Sequence, residues 1–217
     1  MASGPILFIN PNSTEEVTEG IRAAVAPYAL RDGPAFEYVT ITESPSTIMT
    51  DDDVAFAAGR VADLAESRPD ASAIVICCFS DPGLALTRSR VKIPVIGCQE
   101  AGIMTALMRA RKFGIVALSP KSIPRHMRRI EEMGVASRLA AEEGLDFVSA
   151  LDAGTSDAVF ADTVEIGKRL IAAGAGALVP GCAGFAPRRR QLESVLGIPV
   201  VDPVQAAAVI ALGAVAG

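Results

Sequence analysis

Ala73-Ile74-Val75-Ile76-Cys77-Cys78-Phe79-Ser80-Asp81-Pro82-Gly83 and Ala177-Leu178-Val179-Pro180-Gly181-Cys182-Ala183-Gly184-Phe185 repeat one pattern in the two halves of a 217-residue chain. Each is a short apolar run that ends in cysteine and passes into a loop containing glycine. Laid over one another, Cys78 falls on Cys182, an offset of 104 residues. Downstream, Ile93-Pro94-Val95-Ile96 matches Ile198-Pro199-Val200-Val201 at an offset of 105. Two matches at nearly one spacing indicate an internal duplication. Apolar runs of this length, bounded by Gly, Pro, Asp and Ser, read as buried strands of a parallel sheet.

Around them, β-branched runs alternate with alanine-rich amphipathic stretches, the pattern of an α/β fold. In the first half, strands are expected at Ile6–Asn10, Glu37–Thr42, Ala73–Cys78 and Val95–Gly97. Helices are expected at Glu15–Ala26, Asp52–Ser67, Gly83–Ser89 and Ala101–Arg111. Ser13 or Thr14 suits the first N-cap, and Glu15 and Glu16 suit the helix dipole. The second half repeats the order, with strands at Phe113–Leu118, Asp146–Ala150, Ala175–Val179 and Pro199–Val201. Its helices are Ser122–Met133, Asp157–Ala173, Pro187–Leu196 and Val204–Val215. The expected architecture is two pseudo-symmetric lobes, each a mostly parallel sheet flanked by helices, with the active site in the cleft between them. The lobes cover residues 1–98 and 99–203, and the terminal helix, 204–217, crosses back to complete the first.

Half of the residues are hydrophobic and 21% are charged, which makes the chain globular rather than disordered. The formal charge of −5, with no basic cluster beyond Arg188-Arg189-Arg190, argues against a nucleic-acid partner. No run approaches the roughly 18–20 apolar residues that span a bilayer, so no membrane partner is expected. The apolar run Pro5–Ile9 lacks a charged segment before it and stops at Asn10-Pro11-Asn12, so it reads as a first strand and not a signal peptide. The chain is therefore expected in the cytoplasm. Four cysteines, three of them in apolar strand contexts, do not suggest a disulfide framework. With one histidine and no C-x-x-C, neither metal nor cofactor is expected. His126, within Arg125-His126-Met127-Arg128-Arg129, reads as a solvated surface residue.

Ligands of open parallel sheets bind beyond the carboxyl ends of the strands. That directs attention to Asn10–Thr14, Cys78–Gly83, Leu118–Ser122 and Cys182–Phe185. A thiol has an unperturbed pKa of roughly 8.5, which a helix N-terminus can lower. Two opposed thiols could invert an acidic carbon, one removing a proton while the other returns one to the opposite face. Alternation along the strand lets only one of Cys77 and Cys78 meet the cleft. The match to Cys182 selects Cys78 and leaves Cys77 to packing; Cys98, without a thiol counterpart, reads as structural. Asn10 and Pro11 begin a polar turn, Ser80 and Ser119 offer small hydroxyls, and Asp81 reads as the cap of the helix at Pro82.

These residues resemble the aspartate/glutamate/hydantoin racemase superfamily, and more closely its hydantoin racemase branch. The resemblance rests on Ile9-Asn10-Pro11-Asn12-Ser13-Thr14, Cys78-Phe79-Ser80-Asp81-Pro82-Gly83-Leu84, Pro94-Val95-Ile96-Gly97 with Glu100-Ala101, and Gly181-Cys182-Ala183-Gly184. It runs in order over essentially the whole chain. It implies a cofactor-independent racemase, assembled as a homo-oligomer, that acts on a small-molecule substrate with Cys78 and Cys182 as acid and base. Asn10, Pro11, Ser80, Ser119, Gly181, Ala183 and Gly184 would contact the substrate. Hydantoin racemases commonly carry paired threonines after the strand that opens the second lobe, where this chain has Ala117-Leu118-Ser119-Pro120. Leu118 makes the pocket less polar, which bears on the substrate more than on the reaction. Hydantoins lead because few cationic residues lie near the loops. Allantoin, aspartate or glutamate racemisation, maleate isomerisation and arylmalonate decarboxylation remain alternatives, as does a two-lobed solute-binding protein.

Overall fold

The computed structural model describes residues 4–215. Its first sheet is four-stranded and parallel, in the order β2-β1-β3-β4, from β1 (Ile6–Asn10), β2 (Phe36–Thr40), β3 (Ala73–Ile76) and β4 (Val95–Gly97). The second has the order β6-β5-β7, from β5 (Phe113–Ala117), β6 (Leu139–Gly144) and β7 (Ala177–Pro180). A single parallel bridge from Leu178 to Val200 occupies the place of a fourth strand. The two sheets therefore share one strand order, as an internal duplication requires. Strands β1, β3, β5 and β7 are buried along their whole length, which is why they read as unbroken apolar runs.

Parallel neighbours need crossover connections, and helices supply them. In the first half these are α1 (Glu15–Val25), α2 (Asp51–Glu66), α3 (Leu84–Arg90) and α4 (Cys98–Arg109). In the second they are α5 (Ile123–Glu132), α6 (Ala150–Thr155), α7 (Asp157–Ala172), α8 (Arg189–Leu196) and α9 (Pro203–Val215). Residues 216–217, the end of the expected terminal helix, lie outside the described residues. Helix α4 leaves β4 and packs on β7 and β5, whereas α9 packs on β3 and β4. The two helices also pack on each other. Their exchange fuses the inner faces into one core, in which Phe8 and Val75 of the first sheet share a cluster with Ile115 and Val179 of the second. The outer face of the first sheet buries Leu7, Ile9, Ile74 and Ile76 against Val61 and Ala65 of α2.

Three expected elements differ. The strand expected at Asp146–Ala150 is not formed; β6 lies earlier, at Leu139–Gly144, and residue 150 opens α6. Leu-Ala-Ala-Glu-Glu-Gly has weak strand propensity, but pairing with β5 along its length outweighs that. Ser149 caps α6 by accepting the Asp152 N–H at 3.0 Å. Pro199–Val201 makes only its one bridge, and β3 stops at Ile76, so both Cys77 and Cys78 belong to the following loop.

Two carboxylates close the N-termini of the crossing helices. Asp202 Oδ1 accepts from the N–H groups of Val204 (2.8 Å) and Gln205 (2.9 Å) at the start of α9. The duplicate position before α4 is Gly97, and the cap comes from Asp81 instead: Oδ1 accepts from Gln99 N–H (3.0 Å) and Oδ2 from Glu100 N–H (3.2 Å). Asp81 is therefore a cap for α4, reached across space, and not for the helix that follows it in sequence. Burial pushes the Asp81 carboxyl up to about 7 and that of Asp202 up to about 6, against the pull of these N–H groups. A Cβ on Gly97 would lie 2.3 Å from Asp81 Oδ2. Gly97→Ala must displace the cap, and a loss of about 2–3 kcal/mol is expected, read as a lower midpoint in urea unfolding with unchanged slope.

Candidate active site

The loops after β3 and β7 bring Cys78 and Cys182 to one pocket, between the carboxyl ends of the two sheets. Cys77 also borders the pocket, but it is almost wholly buried and its Sγ lies 3.7 Å from the Val75 carbonyl oxygen. Cys98, at the first position of α4, is buried beside Cys77 in the core. All four cysteines are free.

The two catalytic candidates retain some exposure to the pocket, yet protein surrounds both closely. Burial pushes the Cys78 thiol up to about 11, opposed by the Ser80 N–H and the Arg125 guanidinium and reinforced by Asp81. Burial likewise pushes Cys182 up to about 12; the Gly184 N–H opposes this, while Cys78 and Asp202 add to it. The expectation that the nearby helix starts would depress these values is thus corrected: desolvation outweighs them. The Gly184 N–H reaches Cys182 Sγ at 3.3 Å, at the start of the 3₁₀ turn Ala183–Arg188. Charge on either sulfur disfavours charge on the other, so the pair holds at most one thiolate with ease.

Of the residues expected to contact substrate, Ser80, Gly181 and Ala183 border the pocket. Gly184 sits behind Cys182, where a Cβ would meet the Ala150 carbonyl oxygen at 1.9 Å. Asn10 and Pro11 are buried and do not border it; Asn12 does. The Asn10 amide is consumed within its own turn, donating to Asn12 Oδ1 (3.1 Å), the Thr14 carbonyl (3.1 Å) and Thr18 Oγ1 (3.0 Å). It shapes the loop that presents Asn12. Ser119 is fully buried and turned away, its Oγ accepting the Lys121 N–H at 3.2 Å, whereas Leu118 borders the pocket. The loop between β2 and α2 supplies Thr47 and Ile48 as a roof, and Thr47 Oγ1 accepts the Ala150 N–H at 3.2 Å across the two halves.

Two residues of α5 were not legible as site residues. His126 is buried, not solvated: Nδ1 pairs with Glu142 Oε1 at 2.6 Å, and its ring meets Phe79 edge-on at 5.0 Å. Arg125 borders the pocket with only 7% of its side chain exposed. Its Nε donates to Ser80 Oγ and its Nη2 to Ser122 Oγ, both at 2.9 Å. The one hint in the sequence is helical spacing, since His126 and Ile130 lie one turn apart and share the inward face. Arg188 is also less solvated than its triple-arginine context implies, for it bonds the Gly154 and Thr155 carbonyls and Asp157. Among the described residues no cluster of three or more His, Cys, Asp or Glu could hold a metal, and no helix is long and apolar enough to cross a membrane.

Residues 6–211 match the family model described as Asp/Glu/Hydantoin racemase. The chain is 32% identical to a hydantoin racemase of Paenarthrobacter aurescens, over 97% of this chain and 91% of that protein. It is also 32% identical to a hydantoin racemase of Rhizobium meliloti, over 93% of this chain and 85% of the relative. The structure of allantoin racemase from Klebsiella pneumoniae superposes with a TM-score of 0.88 at 30% identity, covering 99% of this chain and 88% of the other.

Proposed function

The chain belongs to the Asp/Glu/hydantoin racemase family and is an isomerase, and on that premise we propose that it inverts the C5 centre of 5-substituted hydantoins by proton transfer between Cys78 and Cys182. The observation that carries this reading is the meeting of two thiols, one from each sheet, at a single pocket. One sulfur, as thiolate, takes the C5 proton. The C–H electron pair moves into the C5–C4 bond, and the carbonyl pair moves onto O4. The opposite thiol then gives its proton to C5 on the other face, and the enolate collapses to the inverted ring.

The pocket lining favours a neutral ring over a free amino acid. An α-amino acid presents an ammonium group that needs an acidic partner when desolvated. No aspartate or glutamate is among the described residues that line the pocket, and Arg125 is their only lysine or arginine. Hydantoins carry no formal charge, and two amide-like groups acidify their C5 proton. Allantoin is the ureido-bearing member of the same class, and the likeness to an allantoin racemase structure supports its inclusion. Met104 and Met108 of α4 and Val209 and Ile210 of α9 are exposed on one apolar face, which supports a homo-oligomer.

The test is polarimetry of purified protein with enantiopure 5-substituted hydantoins, allantoin, aspartate and glutamate. Loss of rotation with the hydantoins, and not with the amino acids, is expected; the reverse would overturn the substrate assignment. The raised thiols also set a pH dependence. The working base is a thiolate whose folded value is about 11, so its fraction grows as pH rises. The partner, at about 12, stays protonated throughout that range. Over pH 6–8, where the imide N–H of the ring stays largely protonated, kcat/KM should therefore climb by about tenfold per unit without levelling, after subtraction of the uncatalysed rate. A plateau near pH 7 would contradict the burial argument.

A further inference from the structure

We infer that Arg125 is the residue that holds the substrate's enolate oxygen, an inference that rests on the hydantoin reading above. Its guanidinium has five N–H donors in a rigid fork. Two nitrogens are committed, Nε to Ser80 and Nη2 to Ser122. Nη1 is buried and has no hydrogen-bond partner, and its nearest carboxylate oxygen, on Asp51, stands 3.7 Å away. A buried, charged donor left unbonded is costly, so its retention at a pocket wall is informative.

The anchoring of Arg125 fits this role. Ser80 belongs to the Cys78 loop, and Ser122 precedes α5, so the arginine spans both halves beside the pocket. The turn that bears it is fixed from behind, where Gln99 Nε2 of α4 donates to the His126 carbonyl at 3.0 Å and Glu142 of β6 holds the His126 ring. A cation clamped in this way is pre-organised for charge that appears only during reaction. When C5 loses its proton, the negative charge collects on O4 of the ring. Nη1 then gains the acceptor it lacks, and the ring's plane suits the plane of the guanidinium. The recognised feature is a carbonyl conjugated to the acidic carbon. The C5 substituent would lie elsewhere, against Leu118, Ile48 and Ala150.

The test compares wild type, Arg125→Gln and Arg125→Lys with one enantiopure 5-substituted hydantoin. Glutamine keeps polarity without charge; lysine keeps charge but cannot make the two-serine fork. In Arg125→Gln, kcat should fall about 100-fold or more, whereas KM should move less than about fivefold. Arg125→Lys should retain about a tenth of wild-type kcat or better, because the charge remains near O4. If Arg125→Gln does not melt cooperatively, Arg125→Met takes its place as the uncharged variant. Equal losses in the charged and uncharged variants would reduce Arg125 to a brace for the serines and overturn the proposal. So would an uncharged variant with wild-type kcat, or a loss carried by KM alone. If wild type itself leaves every hydantoin and allantoin unchanged, the racemase reading fails and this inference fails with it.

Discussion

Serine in place of Cys78 or Cys182 is expected to lower racemisation by about 10²–10⁴-fold in each single variant. The substitution is nearly isosteric, but a hydroxyl is far weaker as an acid than even a thiol raised to about 11 or 12 by burial. Inversion needs both groups in every turnover, one as base and one as acid, so neither loss is buffered by the other. The two variants should nevertheless differ from a simple dead enzyme. In D2O, each should still exchange the C5 proton of the enantiomer whose C5–H bond faces the remaining cysteine, and leave its mirror image unexchanged. Chiral chromatography with mass spectrometry would read this directly. The two variants should have opposite preferences. Normal racemisation by both would end the two-thiol account.

Alanine at Gly184 is expected to have the second largest effect, because one methyl group strikes two structures. Its Cβ would stand 1.9 Å from the Ala150 carbonyl oxygen, which belongs to the first turn of α6 and cannot rotate away as a side chain could. Relief requires the Cys182 loop and α6 to separate. If the loop yields at Gly184, the shift also lengthens the 3.3 Å contact between the Gly184 N–H and Cys182 Sγ, which is the interaction that opposes burial at this thiol. Gly184→Ala should therefore cost about 3 kcal/mol or more of stability. It should also lose activity at temperatures where it remains folded. Gly59, inside α2, provides the comparison, because a Cβ there would have nothing within 4 Å. Gly59→Ala should stabilise by about 0.5–1 kcal/mol through helix propensity alone. Thermal melts of both variants check the contrast, and a Gly184→Ala melt equal to wild type would refute it.

Why the parallel sheets could be read from sequence, and parts of the pocket could not, follows from what each depends on. Strands β1, β3 and β5 are buried on both faces, so their β-branched runs carry the signal locally. The capping acids at Asp51, Asp52 and Asp53 mark the start of α2 in the same local way, and Thr50 and Asp53 form a capping box there. Strand β6 lacks such a signal because it exists by pairing with β5, a long-range fact. Arg125 and His126 mislead for a related reason. The run Arg-His-Met-Arg-Arg suggests a wetted helix face, yet only the closure of β6, α4 and the Cys78 loop around that turn decides which of its residues are enclosed. The Asn10 turn fails by two residues: a buried amide and its neighbour's pocket-facing one look alike in sequence. The exchange of caps, Asp81 for the side chain Gly97 lacks, is visible only once the loop after β3 is seen to reach α4.

The most direct test of two-sided proton transfer is the isotope pattern of wild type acting on an enantiopure 5-substituted hydantoin in D2O, with a metal chelator present and an enzyme-free control. Early in the reaction, the inverted product should carry one deuterium at C5 from the opposing thiol, while unreacted substrate remains largely protiated and the rotation decays towards zero. Deuterium appearing first in substrate of unchanged configuration would mean that one group serves a single face. Unchanged rotation and no deuterium, across several hydantoins and allantoin, would contradict the account altogether.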